Sequence, residues 1–578
     1  MSWFLSALIV TLIASLYTYI SSNDRKLWSI PRRALEVSPR RVTEEDVMKL
    51  SEQMNEKKDN GKTVESELEK TGRRYIVVGG VSWIVIHLLQ RGENPKNIRV
   101  LDIRLPARHD LKYGIGKDVE YMVVDISDRE AVMAAFKAEW PTDAVSSLSK
   151  SIPLTIFHTA ANIRFYERSS ELLPKSTRVN VDGTQNIIDA ALEFGASSNP
   201  LDSTILIYTS SGSVGVRASR FLLWPWENEP ENFVQYINDD DDSPAMPKEH
   251  SHFFSNYAYS KYLAEKRVRK ADKYVSPTTP TSTSELTSNS SVEATSYPTS
   301  SRLRTGCIRP GNGVFGPGGD MLCGAYLVRK TNPTWISNIV SHFVYVENCA
   351  SAHLCYERRL IEVEEQEQER ERKGTLSPPG RLPDIGGQAF TITDPGRPPT
   401  YGDVYFVLEA LTNGQTFFPE ISPTLMLMLA YVIEAYYLLR HYLKLSILPP
   451  VNKDLVNLQP SLFNLTMVHL IFDDSRARLD PEMGGLGYKS RHTTIEGLWK
   501  TWDAHGEEIK RWEQGKLNRS DNHIRSDGAG VSFGFSWGFG LVRAQRGVGK
   551  VVEKVRKVED KMQEIEEKIE DVVEGALN

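Results

Sequence analysis

Basic side chains are not in excess in this 578-residue sequence, where 69 lysines and arginines stand against 75 acidic residues for a formal net charge of -6. That balance provides no broad positive field to concentrate phosphates, which excludes nucleic acid as the expected partner. Cysteine is scarcer still: Cys307, Cys323, Cys349 and Cys355 form no CxxC pair and share no histidine cluster at metal-ligand spacing. They read as reduced, inert thiols, with neither a disulfide framework nor a metal site. Long apolar runs are also few. The one uncharged example is Ser2 to Ser21, long enough to cross a hydrocarbon core as a helix. No charged n-region precedes it, so it is expected to be an uncleaved anchor rather than a signal peptide. A second stretch, Thr424 to Leu448, is interrupted by Glu434, Arg440, His441 and Lys444, which favours a helix lying on the membrane or buried in the body over one that spans. Positive charge gathers behind the anchor at Arg25, Lys26, Arg32, Arg33, Arg40 and Arg41. Flanks of that kind stay in the cytosol, so the body should face it.

What is present is an alternation of short β-branched runs with helical ones. Tyr75 to Val78 is followed by Gly79-Gly80, the helix Trp83 to Gln90 and the strand Ile98 to Leu101. The pattern repeats through Val119 to Val124, Arg129 to Ala138, Leu154 to His158, Gly183 to Phe194 and Thr204 to Tyr208. Strand and helix in alternation predict an α/β protein, a Rossmann-type doubly wound parallel sheet covered by helices on both faces. The chain divides accordingly into a transmembrane anchor at 1–22, a polar stalk at 23–72 and the Rossmann domain at 73–274. A Ser/Thr/Pro insertion of disordered composition follows at 275–303. Residues 304–505 complete the sheet and supply a smaller C-terminal substrate-binding region, with a charged insertion at 362–384 that reads as a solvated helix face. A linker and helical tail occupy 506–578, where Val551, Val555, Val558, Met562, Ile565, Ile569 and Val572 are spaced by fours and threes. That seam fits either a coiled coil joining a homodimer or an amphipathic helix packing on its own domain.

Tyr257-Ala-Tyr-Ser-Lys261 puts a phenol and an amine four residues apart on one helix face. A phenol of pKa near 10 serves as a base at neutral pH when a neighbouring ammonium favours its phenolate. By itself that spacing recurs by chance in many helices. Its context is more specific: Tyr208-Thr-Ser-Ser-Gly-Ser-Val214 emerges from a strand as a row of hydroxyls, Phe157-His-Thr-Ala-Ala161 ends another strand, and Asn180-Val-Asp-Gly-Thr-Gln-Asn186 opens a helix. Downstream come the Ile308 to Pro317 Gly/Pro loop, Phe343 to Asn348 with Ala352-His353, and Leu486-Gly-Tyr-Lys489. In the second strand Asp102 stands about twenty residues after the glycines, where a carboxylate accepts both ribose hydroxyls and repels a 2′-phosphate, favouring NAD over NADP; Arg104 weakens that preference.

Taken in this order, the segments resemble the extended short-chain dehydrogenases, and within them the 3β-hydroxysteroid dehydrogenase and sterol-4α-carboxylate 3-dehydrogenase (decarboxylating) family, over about residues 73 to 505. The resemblance implies NAD-dependent oxidation of a sterol 3β-hydroxyl by a single-pass protein of the endoplasmic reticulum membrane, acting on a substrate dissolved in the bilayer. It makes Tyr257 the general base, Lys261 the group that lowers its pKa and binds the nicotinamide ribose, Ser211 the hydroxyl that orients the substrate, and Asn180 the residue that steadies the lysine through water. Gly79, Gly80, Asp102 and Asp125 would hold the cofactor, Asp125 near the adenine; no metal is implied. Two alternatives remain. One is 3β-hydroxysteroid oxidation with isomerisation, or action on another lipid alcohol. The other is a catalytically inactive membrane scaffold, because Gly79-Gly80 is followed at once by Val81-Ser-Trp-Ile, about four residues short of the family's GGxGFxG run. Either a few codons are missing from the sequence near a splice site, or the deletion is real and weakens dinucleotide binding.

Overall fold

Runs of Val, Ile, Tyr and Phe with few charges make strands that must be covered on both faces, and here they form one parallel sheet. The computed structural model describes residues 2–59, 68–79, 83–106, 108–141, 152–194, 203–273, 302–320, 322–373, 382–443, 449–451 and 455–517. The sheet comprises β1 (Arg74–Val78), β2 (Ile98–Asp102), β3 (Glu120–Val123), β4 (Leu154–His158), β5 (Thr204–Thr209), β6 (Leu303–Pro310) and β7 (Ala389–Ile392). Their spatial order is β7-β6-β5-β4-β1-β2-β3, with every pairing parallel. This is the doubly wound order expected from the alternation, with the switch point between β1 and β4.

The helices begin with α1 (Ser2–Leu27), α2 (Arg32–Val37), α3 (Glu44–Asp59), α4 (Trp83–Gln90), α5 (Arg129–Lys137) and α6 (Thr184–Phe194). They continue with α7 (Asn256–Lys270), α8 (Val346–Lys373), α9 (Tyr401–Leu411), α10 (Pro423–Tyr442) and α11 (Thr494–Leu517). Helices α4 and α8 cover one face of the sheet around Tyr75, Val77, Leu88 and Tyr356, and α5, α6 and α7 cover the other around Ile76, Val78, Ile187 and Val268. A third apolar cluster, including Phe343, Tyr405, Leu427 and Phe463, lies beyond the sheet. There α9, α10 and α11 meet two short parallel strand pairs, Val234–Ile237 with His469–Phe472 and Val314–Phe315 with Val344–Tyr345.

The segment expected to be a stalk is not one. Ala34, Val47 and Met54 are buried, and α3 packs on α9 and α11. Arg41 bonds Asp403 at 2.6 Å and Lys58 bonds Asp503 at 2.9 Å. Val47, Leu50 and Met54, spaced by three and four, suffice to dock α3, while Met48 and the charged side chains stay exposed. The charged run after Glu362 continues α8 to Lys373, and α11 runs past residue 505 to Leu517. The Ser/Thr/Pro tract from 274 to 301 and the heptad seam beyond 517 lie outside the described residues.

Candidate active site

Helix α7 starts from a Ser255 cap whose hydroxyl accepts the Ala258 amide, and this sets the helix against the carboxyl end of β5. Three turns of one face then carry Tyr257, Lys261 and Glu265 at intervals of four. The chain leaves β5 at Thr209 and turns through Gly212–Gly215, placing Ser211 beside Tyr257. Ser211 also donates to Ser213 Oγ at 2.8 Å and caps the turn. Ser210 points elsewhere: it is buried and gives its proton to Glu265 Oε2 at 2.5 Å. The geometry thus separates the two serines by task.

Burial pushes the Tyr257 phenol up to about 12, and the Ser211 hydrogen bond opposes that rise. The lowering expected from Lys261 is not present. Lys261 Nζ is drawn instead to the Thr209 carbonyl at 2.6 Å and lies 4.1 Å from the centre of the Tyr208 ring. Burial brings the amine down to about 7 against the pull of Cys307 and Glu265, so much of it is neutral at physiological pH. Thr209 is fixed in turn by His353. Its hydroxyl lies 2.6 Å from His353 Nε2, while Nδ1 lies 2.7 Å from the Cys349 carbonyl and therefore must carry the proton. Burial lowers His353 to about 4 and keeps the ring neutral in that tautomer.

Asn180 sits in a π-helical turn, Arg178–Gly183, a distortion often retained at functional sites. Its side chain accepts the Asn162 amide at 2.7 Å and donates to the Asn162 carbonyl and to Ser260 Oγ at 3.1 and 2.9 Å. It reaches the residue before Lys261 rather than Lys261 itself. Beneath them lies a buried ion cluster that local sequence reading missed. Arg309, in β6, donates to both Glu265 oxygens at 3.0 and 2.5 Å and to Asp241 at 2.7 Å. The available signal was Glu265 itself, one more step of four along the Tyr257–Lys261 face.

A dinucleotide would lie along this carboxyl edge. Gly79, at a φ of +93°, brings β1 so close to β4 that a Cβ would stand 2.6 Å from Thr159 Oγ1 and 2.7 Å from the Ala160 amide. Asp102, at the end of β2, accepts the Arg104 amide at 3.0 Å, while Asp125 accepts the amide and hydroxyl of Ser127 at 2.9 and 2.8 Å. Asp102 and Lys261 are the residues that would meet the two riboses of a nicotinamide dinucleotide bound along that edge. Gly80, with residues 81–82, lies outside the described residues. Helix α4 begins at Trp83, whose indole donates to the Pro317 carbonyl at 2.9 Å and stacks under Arg108 at 4.4 Å. Ile84, Val85 and Leu88 of that helix are buried.

The 3-beta hydroxysteroid dehydrogenase/isomerase family profile matches residues 76–394. An Arabidopsis thaliana 3beta-hydroxysteroid-dehydrogenase/decarboxylase, isoform 2, is 24% identical over 78% of this chain and 66% of its own length. The Schizosaccharomyces pombe sterol-4-alpha-carboxylate 3-dehydrogenase erg26, decarboxylating, is 30% identical over 35% of this chain and 44% of its own. The chain thus spans just under two thirds of the first relative and under half of the second. Among solved structures, a Thermus thermophilus UDP-glucose 4-epimerase is similar with 17% identity and a TM-score of 0.40, over 75% of this chain and 98% of that one. The family match takes in more than half of the 578 residues, and the chain belongs to the 3-beta hydroxysteroid dehydrogenase/isomerase family.

Proposed function

We propose that the protein oxidises the 3β-hydroxyl of a sterol with NAD, and that its substrate carries a 4α-carboxylate lost as carbon dioxide once the 3-ketone has formed. The observation that carries this reading is the Tyr257–Ser211 pair, set beside a buried Lys261 at the carboxyl edge of β5. The bound nicotinamide supplies hydride acceptance. Ser211 orients the substrate hydroxyl, Tyr257 takes its proton, and Lys261, held through Thr209 and His353, favours the phenolate when protonated. Once carbon 3 is a ketone, the 4α-carboxylate belongs to a β-keto acid whose C–C bond electrons pass into a substrate enolate, so decarboxylation needs little further machinery. Asp102 favours NAD over NADP by repelling a 2′-phosphate. Helix α1 serves as a single-pass anchor in the endoplasmic reticulum membrane, with the basic residues behind it holding the body in the cytosol.

The test is to supply the purified full chain with NAD and a 4α-carboxysterol and identify the product. A decarboxylated 3-ketone is expected, whereas a conjugated ketone with a shifted double bond would favour the isomerising alternative. NADH and NADPH titrations read by nicotinamide fluorescence address the short turn after β1. Tighter binding of NADH is expected, and failure of both to bind would favour the inactive scaffold.

The two serines give a sharper prediction. Ser211→Ala should lower kcat about 10²-fold, by analogy with removal of a hydroxyl that meets developing charge, and cost about 1 kcal/mol for the lost bonds to Ser213. Ser210→Ala should leave kcat nearly intact and cost about 1.5–3 kcal/mol, because it removes a buried bond to a carboxylate. Steady-state kinetics and urea midpoints read the two; the reverse pattern would exchange their roles.

A further inference from the structure

The glycine turn after β1 is about four residues short, and with those residues go backbone N–H groups that would meet an anion at the start of α4. A dinucleotide concentrates its negative charge in the diphosphate, which a Rossmann sheet seats at that helix start. A chain that binds the dinucleotide has to meet this charge from elsewhere.

One cationic side chain reaches the place. Arg108 stands six residues after Asp102, on the segment that leaves β2. Its guanidinium carbon lies 4.4 Å from the centre of the ring of Trp83, the first residue of α4. The Trp83 indole is itself fixed by its bond to the Pro317 carbonyl at 2.9 Å. Gly318, the next residue, has a φ of +108°, and a Cβ there would stand 3.0 Å from Arg108 Cδ and 3.4 Å from Nη1. A side chain at 318 is thus excluded twice, by the backbone conformation and by the arginine laid against it.

The guanidinium is held with one edge in reserve. Nε and Nη2 donate to the two Asp110 carboxylate oxygens at 3.0 and 2.5 Å, a bidentate pair that fixes the plane of the group. Only 10% of the Arg108 side-chain surface is exposed, and Nη1 is buried with no hydrogen-bond partner. Glu508, on α11, is near enough to feel the guanidinium charge, yet Nη1 donates to neither acid. Leaving a charged donor buried without a partner is costly, and an anion that reaches that edge recovers the loss.

We propose that Arg108 takes the cofactor's diphosphate on its Nη1 edge, so that one guanidinium stands in for the amides the short turn lacks. This rests on the protein binding a nicotinamide dinucleotide. Stacking on Trp83 and the Asp110 pair orient the fork in advance, so little side-chain freedom is lost on binding. Asp110 offsets part of the positive charge, which leaves a directed hydrogen bond rather than a broad field to select the phosphate. Trp83 and Gly318 are positioning residues, because they set where the guanidinium lies. The shortened turn is then a changed way of holding the cofactor, not the loss of one.

The test reads affinity, not turnover. NADH and NADPH are titrated into the purified full chain by nicotinamide fluorescence, ADP-ribose and adenosine are titrated as competitors, and urea midpoints report folding. Arg108→Met keeps a stem against Gly318. It should weaken NADH and ADP-ribose about 10–100-fold and adenosine by less than about twofold, the loss expected for a hydrogen bond between charged groups. Arg108→Lys keeps the charge without the fork and should fall between the parent and Arg108→Met. Were the methionine variant not to fold, parent affinity for ADP-ribose in the lysine variant would overturn the proposal. Equal losses for ADP-ribose and adenosine, or a loss confined to NADPH, would move the contact off the diphosphate and overturn it as well. A lower urea midpoint at unchanged ADP-ribose affinity would make Arg108 a clasp between α4 and the Gly/Pro loop, overturning the proposal while the dinucleotide reading stands. Failure of the parent to bind NADH, NADPH or ADP-ribose would overturn that reading and the proposal together.

Discussion

Tyr257→Phe should lower kcat by about 10²–10⁴ while leaving NADH binding and folding stability near those of the parent, the effect expected when a general base loses its one proton-accepting atom. The phenyl ring preserves the packing of α7, and Ser211 keeps its bond to Ser213. The pH profile adds a second readout. Because the phenol of the unliganded protein is held near 12, its basic form is rare at neutral pH and grows about tenfold per unit of pH below that value. The parent kcat/KM for oxidation should therefore climb from neutral toward alkaline pH, and the residual activity of the variant should lack that slope. Retention of kcat by Tyr257→Phe would sink the assignment of the base.

The elements that local pattern predicts best are those whose cause is local. Ile98 to Asp102 is a strand because β-branched residues run between polar turns, and Trp83 to Gln90 is a helix between one glycine pair and another turn. Tyr257 and Lys261 were legible because both members of the pair sit on one helix. Arg309 was not, because its partner Glu265 is forty-four residues away across the Ser/Thr/Pro tract, and no local period links a helix carboxylate to a strand guanidinium. The direction of Lys261 was hidden for a similar reason: a helix position fixes which face the side chain leaves from, not that the Thr209 carbonyl captures its end. Residues 23–59 carry no long apolar stripe, yet Val47, Leu50 and Met54 are enough to seat α3. The expectation for α1 and α10 came nearer, since hydropathy separates an uninterrupted run from one broken by Glu434. Only the fold shows that the Glu434 side faces Arg168 while the opposite stripe is open.

Arg309→Leu should destabilise the fold by about 3–5 kcal/mol, since it removes one member of a buried pair and strands the other charge. Arg309 and Glu265 each keep only 2% of their side-chain surface exposed. Burial alone would raise the Glu265 pKa, but Arg309, Ser210 and Arg269 bring it below the ordinary value of 4.5. Its folded pKa therefore lies below its unfolded one, so its contribution is complete above about pH 4.5 and is lost as pH falls through the folded value. In Arg309→Leu the burial penalty is opposed only by weaker partners and the sign reverses: the Glu265 pKa rises above 4.5, and protonation relieves the variant. The stability gap between parent and variant should thus be widest near neutral pH and narrow in acid, as read by urea unfolding at about pH 7 and about pH 4.5. A gap of equal size at both values would mean that lost packing, not a stranded charge, dominates. Adding Glu265→Leu to Arg309→Leu should restore part of the stability at neutral pH, because no unpaired carboxylate then remains at that position. The same double variant removes a carboxylate that raises Lys261, so the amine should fall below about 7 and less of it should be protonated at neutral pH. A lower kcat in a refolded double variant would connect the ion cluster to the charge state of the catalytic lysine.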